Sequence, residues 1–225
     1  MYFDLDNTLW DFKRNSAEIL KKLYLEKLSN LQGISIDFSS FRDIYEKHNH
    51  DLWKAYERGE VTAEELKVSR FDRVLEELGI TKLFKSEDLN DFYLHNLAKL
   101  PHLMPHAREI LDYLSPHYSL GILSNGFKQA QYSKMSYSKI IDYFNPIITS
   151  DQVGVNKPHP EIFLHAIRES GCQPNEIAYV GDDYLVDTLA ANKMGITGIL
   201  LDPDHKVQDE NILKLFDLIE LKEYF

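Results

Sequence analysis

Apolar positions follow two rhythms along this chain, and the change between them comes near Pro101. From about Asn15 to Leu100 they recur at helix spacing, with Ile19, Leu20, Leu23, Leu28 and Leu31 forming one stripe. The same spacing predicts helices over Ser39–Glu57, Thr62–Leu78 and Glu87–Lys99. Thr62-Ala63-Glu64-Glu65 has the form of a capping box, with Glu65 three residues after the capping threonine. Gly33, Gly59 and Gly79 stand where those helices would end.

From Pro101 onward, short apolar runs alternate with helical segments. Ser119–Leu123, Ile147–Thr149, Ile177–Val180 and Thr197–Leu201 read as strands, with helices near 105–115, 127–138, 160–170 and 184–194 before and between them. Strands that are apolar on both sides need cover on both faces, which implies a parallel sheet between helical layers. Tyr2-Phe3 reads as the end of another central strand. The expected architecture is α/β, a doubly wound parallel sheet with an inserted all-helical cap. Residues 1–14 and 101–225 would form the core and 15–100 the cap. Only Met1, Tyr2 and Phe3 precede Asp4, whereas a strand typically has about five or six residues. The first strand is therefore expected to be truncated, or to begin upstream.

Composition narrows the function classes. The chain has 225 residues, 44% of them hydrophobic and 27% charged, which is ordinary for a globular protein. No apolar stretch approaches the roughly 20 residues of a membrane span, and no secretory signal opens the chain. One cysteine, Cys172, cannot make an internal bridge; it fits a cytoplasmic setting and reads as a bystander after a helix. A net charge of −11 argues against a broad nucleic-acid surface. It leaves room for a small anion, because a few cationic groups and a metal can reverse the potential locally.

Candidate chemistry gathers where the apolar runs stop, the edge at which ligands bind in such sheets. Asp4, Asp6 and Thr8 follow the first strand; Ser124-Asn125-Gly126 follows Leu120–Leu123; Asn156-Lys157-Pro158 follows the third strand. Gly181-Asp182-Asp183 follows Ile177–Val180, with Asp187 further on. Singly, each has a bland reading: paired acids are usually solvated surface, Ser-Asn-Gly a turn, and Lys157 an exposed lysine. The ordered set is much more specific.

Asp-x-Asp-x-Thr, Ser-Asn, Lys-Pro and Gly-Asp-Asp-x-x-x-Asp, in this order, resemble the four motifs of haloacid dehalogenase-like hydrolases. The helical insert resembles that family's C1-type cap. The resemblance implies Asp4 as a nucleophile forming an aspartyl-phosphate, with Asp6 as general acid and then base. Two anions must be neutralised for attack, which suits Mg²⁺. The family pattern gives the Asp4 carboxylate, the Asp6 backbone carbonyl and Asp182 as metal ligands, and Asp187 as a direct or indirect partner. Five residues separate Asp182 from Asp187, about 140° apart on a continuous helix. They can share an ion only if Asp182 lies in the loop and Asp187 in the first helical turn. Lys157 would stabilise charge in the transition state. Thr8 would secure its turn and, with Ser124, Asn125 and Lys157, complete the phosphate site. Asp183 stands where many relatives carry Ser, and its role stays open.

Asp6 points away from the dehalogenase branch, because a departing halide needs no general acid and that branch lacks this residue. Asp4 through Phe12, the stretch from Leu52-Trp53 to Arg70-Phe71, and Ser124-Asn125-Gly126-Phe127 further resemble bacterial pyrimidine 5′-nucleotidases of the superfamily. The implied partner is a small phosphorylated metabolite, a nucleoside monophosphate, with neither a nucleic-acid polymer nor a membrane, on a monomer or dimer. A sugar-phosphate phosphatase or phosphomutase is the enzymatic alternative, and a non-catalytic phosphate-binding regulatory protein the alternative of another class. Trp10, Phe12, Trp53 and Tyr56 are candidates for stacking on a base, and Arg58 or Arg70 for meeting an anionic or carbonyl group. Core packing is the competing reading for these aromatics. His48, His50, His102, His106 and His117 match no metal-ligand spacing and read as surface or packing residues.

Overall fold

Six strands form one sheet: β1 (Tyr2–Phe3), β2 (Leu120–Ser124), β3 (Phe144–Thr149), β4 (Ala178–Gly181), β5 (Thr197–Leu201) and β6 (Leu213–Leu215). Their order is β3-β2-β1-β4-β5-β6, and every pairing is parallel. The structure is a computed structural model describing residues 1–29, 31 and 36–225; Gly33 lies outside them. The chain divides into two units, residues 1–12 with 100–225, and residues 13–99.

Alternation along the strands builds a two-sided core. Tyr2, Leu123 and Tyr179 face one way and pack with Ile162, Phe163 and Ala166 of α8 (Pro160–Ser170) and Ala190 and Ala191 of α9 (Leu189–Lys193). Phe3, Ile122 and Val180 face the other way and are 0% exposed, so both faces are covered. The chain order reverses at β1, whose neighbours β2 and β4 continue in opposite directions. Such a switch point opens a crevice at the carboxyl ends of the strands.

The helical unit holds most of α1 (Phe12–Leu23), extended by a π-helical turn at Tyr24–Leu28, with α2 (Phe38–Glu57), α3 (Ala63–Glu77) and α4 (Ser86–Leu97). Its centre is aromatic: Tyr45 of α2 lies 5.1 Å from Phe71 of α3 and 5.0 Å from Tyr93 of α4, ring centre to ring centre. Such pairs add about 0.5–1.5 kcal/mol beyond the area they bury. The capping box at Thr62 forms as the sequence predicts: Glu65 N donates to Thr62 Oγ1 and Thr62 N donates to Glu65 Oε2. Gly59 and Gly79 take positive φ where α2 and α3 end.

The sheet unit carries α5 (Ala107–Leu114), α6 (Lys128–Tyr137) and a single turn, α7 (Ser150–Val153), besides α8 and α9. The predicted helix near 184–194 opens as a π-helical turn, Tyr184–Thr188, before α9. Strand β3 begins at Phe144, three residues before the apolar run that announced it, because Asn145 and Pro146 interrupt the pattern. Proline is tolerated there because β3 is an edge strand. Strand β6 and α7 are too short for periodicity to announce. Among the described residues no helix is long and apolar enough to cross a membrane.

Candidate active site

Strand β1 delivers Asp4 to the crevice: Asp4 N donates to Val180 O at 2.8 Å, one residue past the last paired position. The chain then turns tightly, with Leu5 O accepting from Leu9 N at 3.0 Å and from Trp10 N at 2.8 Å. Asn7 occupies the left-handed region at φ 59°, which asparagine tolerates better than most residues. Thr8 is fully buried, and its hydroxyl makes a long 3.5 Å contact with Asp182 Oδ1.

Lys157 is the hub of one half of the site. Its ammonium has three protons and three partners, Asp4 Oδ1, Asp187 Oδ1 and Tyr179 OH, each at 2.7 Å. The Lys157 side chain is 3% exposed, and Asp4 and Asp187 are 9% and 2% exposed. Asn125 clamps the lysine's backbone: Asn125 Oδ1 accepts from Lys157 N at 2.7 Å, and Asn125 Nδ2 donates to Lys157 O at 3.0 Å. The side chain of Asn125 thus positions Lys157, whatever its backbone N–H binds. Tyr179 has one hydroxyl proton for two acceptors, Leu123 O at 2.9 Å and Asp187 Oδ1 at 3.0 Å.

Asp182 lies in the bend after β4 and Asp187 in the π-helical turn, the arrangement their five-residue spacing requires if they are to meet. Gly181 makes this possible, because a Cβ there would overlap the Asp187 carboxylate and stand 2.6 Å from its Cβ. Asp183 caps the turn: its Oδ1 accepts from Leu185 N and Val186 N at 2.9 Å. Its own N–H donates to Asp187 Oδ2 at 3.1 Å.

Carboxylate oxygens of Asp4, Asp182 and Asp187 lie within 4.8 Å of one another. Burial pushes the Asp4 carboxyl up to about 7; Lys157 opposes the rise, and the charge of Asp187 adds to it. Asp182 has one side open to solvent, yet the enclosure of its carboxyl, with Asp4 and Asp187 beside it, raises its pKa well above the usual range. Lys157 is pulled the other way: burial disfavours its charge, but Asp187 and Asp4 together overcome that and raise its pKa. Three carboxylates against one ammonium leave negative charge uncompensated in a confined space. Hard oxygen donors with surplus negative charge suit a divalent cation such as Mg²⁺. Among the described residues this is the one cluster of acidic, histidine or cysteine side chains close enough to share an ion.

The other half of the site belongs to Asp6. Lys134 Nζ reaches both Asp6 carboxylate oxygens at 2.7 Å, and Gln131 Nε2 donates to Asp6 Oδ2 at 3.0 Å. Ser124, at the tip of β2, accepts from Gln131 Nε2 at 2.7 Å and from Gly126 N at 3.1 Å. Sequence reading missed Gln131, Lys134 and Tyr179. A faint signal existed: Gln131 and Lys134 stand three apart, on one helical face, just after Ser-Asn-Gly.

Of the substrate candidates, Trp10 is 0% exposed; its indole N–H donates to Leu100 O at 3.0 Å, and Lys134 Nζ sits 4.9 Å from its ring centre. Phe12 is half-buried and packs on Trp10 at 6.4 Å. In the helical unit, Trp53 is half-buried against Tyr56, and Arg58 is paired with Glu60 on the surface. Arg70 is 4% exposed, 3.4 Å from Tyr45 OH, and its Nε has no partner. His48 pairs with Glu77 and His106 with Asp217, and neither histidine belongs to the acidic cluster.

The model of the haloacid dehalogenase-like hydrolase family matches residues 1–201. The pyrimidine 5′-nucleotidase YjjG of Escherichia coli is 27% identical over 224 residues, covering 99% of this chain and 94% of its own. The glyceraldehyde 3-phosphate phosphatase of Methanothermobacter thermautotrophicus is 28% identical over 213 residues, covering 91% of this chain and 85% of its own. The crystal structure of the HAD-hydrolase YfnB of Bacillus subtilis, bound to magnesium, is similar with a TM-score of 0.87 at 25% identity. That likeness covers 99% of this chain and 96% of YfnB.

Proposed function

The chain belongs to the haloacid dehalogenase-like hydrolase family, as a phosphatase, and we propose that it is a magnesium-dependent phosphomonoesterase acting on pyrimidine nucleoside 5′-monophosphates. The observation that carries the reading is the separation of two carboxylates with different partners. Asp4 is held by Lys157, and Asp6 by Lys134 and Gln131. One carboxyl can attack while the other moves a proton.

In this mechanism an Asp4 oxygen bonds to phosphorus as the bond to the leaving oxygen breaks, and Asp6 gives that oxygen its proton. Asp6 then takes a proton from a water molecule, which attacks phosphorus and breaks the bond to Asp4. Lys157 directs the Asp4 carboxylate and stabilises charge on the transferring group. Ser124, the Asn125 backbone N–H and Thr8 complete the phosphate site. Asp4, Asp182 and the Asp6 backbone carbonyl would hold Mg²⁺. Asp187, whose two oxygens accept from Lys157, Tyr179 and Asp183, would support that ion indirectly. The ion, when bound, offsets the repulsion between Asp4 and the phosphate.

Of the substrate candidates, Phe12 and Trp53 are half-buried, with part of each ring left for a substrate to meet, whereas Trp10 and Arg70 are buried. The likeness to YjjG supports a nucleotide, and the likeness to the glyceraldehyde 3-phosphate phosphatase supports a sugar phosphate as the second reading. The test is phosphate release from UMP, dUMP, dTMP, glyceraldehyde 3-phosphate and glucose 1-phosphate, with Mg²⁺ and with chelator. Release from the nucleotides is expected, lost in Asp4→Asn and under chelation. Turnover by a folded Asp4→Asn enzyme would sink the mechanism. Interconversion of sugar phosphates without release would indicate a mutase, and binding without turnover a regulatory protein.

A further inference from the structure

Helix α6 touches both Asp6 and Ser124, through Gln131 and Lys134. Gln131 is 0% exposed, and its amide nitrogen divides its two protons between Asp6 Oδ2 and Ser124 Oγ. The nitrogen faces Asp6 Oδ2, an acceptor that an amide oxygen could not satisfy. The amide oxygen then points elsewhere and finds no hydrogen-bond partner. A buried orphan of this kind costs about 1–3 kcal/mol. A methionine of similar shape would lose that cost together with the two hydrogen bonds from Nε2, terms of similar size, so the glutamine adds little net stability.

The donor count at Ser124 is equally restrictive. Its oxygen accepts from Gln131 Nε2 at 2.7 Å and from Gly126 N at 3.1 Å, which occupies both lone pairs. The hydroxyl proton is left to donate to an incoming acceptor. Gly126 belongs to the same device. A Cβ there would overlap Gln131 Nε2 and Cδ, the very end of the side chain that makes these bonds. The third residue of Ser-Asn-Gly is thus explained by room for Gln131, beyond the needs of a turn.

Lys134, one turn along the same face, forks onto Asp6 at 2.7 Å to both oxygens, with its ammonium also over the Trp10 ring. We propose that Gln131 and Lys134 are positioning residues for phosphoryl transfer. They hold the Asp6 carboxyl toward the leaving group and aim the Ser124 hydroxyl at the phosphoryl oxygens, with Gly126 making space for Gln131. The inference rests on the phosphomonoesterase reading above.

A departing p-nitrophenolate needs no proton, whereas a sugar or nucleoside alkoxide does. The experiment compares kcat/KM, which reports only the steps up to phosphoryl transfer, for p-nitrophenyl phosphate and for the alkyl monoester turned over fastest in the panel above. Lys134→Met is expected to lose about 100-fold on the alkyl ester and about threefold on p-nitrophenyl phosphate, with Lys134→Arg recovering part of the alkyl loss. Gln131→Met should melt close to wild type yet lose turnover of both esters, the alkyl one more. Gly126→Ala, which displaces only the flexible end of Gln131, should reproduce Gln131→Met and carries the test if Lys134→Met does not fold. Equal losses on the two esters in Lys134→Met, or wild-type kinetics in Gln131→Met and Gly126→Ala, would overturn the inference alone. A wild-type enzyme that releases phosphate from neither ester would overturn the functional reading, and the inference with it.

Discussion

Lys157 Nζ lies 2.7 Å from Asp4 Oδ1, with both side chains nearly closed off from water. The contact spans 153 residues of sequence and joins the tip of β1 to the loop between α7 and α8. Removing one partner of a buried pair typically costs about 3–5 kcal/mol, because the other charge stays uncompensated. Lys157→Met should therefore destabilise the fold by roughly that amount in urea titrations near neutral pH, as well as abolish turnover. The loss should shrink at pH 5, where the stranded carboxyls can take up protons. A loss of stability that did not change between pH 5 and pH 7.5 would contradict this.

Asp4 itself makes the metal-free protein pH-sensitive. Burial lifts its folded pKa to about 7, from the 3.8 ordinary for an aspartate. Between those values the folded chain holds a proton that the unfolded chain has lost. Stability of the metal-free protein should therefore fall as pH rises through this window. Magnesium requires the ionised carboxylate, so binding should release protons there, and affinity should climb with pH and level off above about 7. Calorimetry in buffers of different ionisation enthalpy reads both effects. Affinity independent of pH from 5 to 7 would refute the account.

Gly181→Ala tests the packing that places Asp187. The added methyl would meet the Asp187 carboxylate and stand 2.6 Å from its Cβ, on a strand held from both sides. Overpacking of this kind costs about 1–3 kcal/mol, and the shift of Asp187 should also lower kcat. An alanine variant with wild-type melting and turnover would show that the turn after β4 yields more easily than its contacts imply.

Asp183 offers the opposite contrast, a motif acid with a local task. Asp183→Ala removes the acceptor for Leu185 N and Val186 N and should cost about 0.5–2 kcal/mol in thermal or urea melts. Asp183→Ser keeps a capping oxygen and should restore most of it, with turnover preserved. If Asp183→Ser melted like Asp183→Ala, capping would not be what this residue contributes.

Much of the fold was legible because its signals are local. The capping box at Thr62 needs only residues three apart, and the apolar runs of β2, β4 and β5 record burial on both faces. Where local signals fail, the reasons are physical. Strand β6 is three residues with a lysine at its centre, and Pro146 breaks the run of β3 at the sheet edge. The substrate candidates were hard to judge because a buried aromatic and a stacking aromatic look alike in sequence. Trp10 is fully enclosed with its N–H satisfied, and Arg70 is buried beside Tyr45 and Tyr93.

By itself the sequence determined the residue types at the strand ends, and with them the candidate chemistry: two acids two apart, a serine, a lysine, and an acid pair five apart. It could not determine their partners. Gln131 and Lys134 lie 125 and 128 residues from Asp6, and Tyr179 lies 22 from Lys157. The sheet order, with β2 and β4 on either side of β1, brings these groups within hydrogen-bonding distance. Only there does burial raise the Asp4 pKa to about 7, with Lys157 set against it. Desolvation and charge pairing act between groups that folding brings together, so the tertiary structure alone decides how each carboxylate behaves.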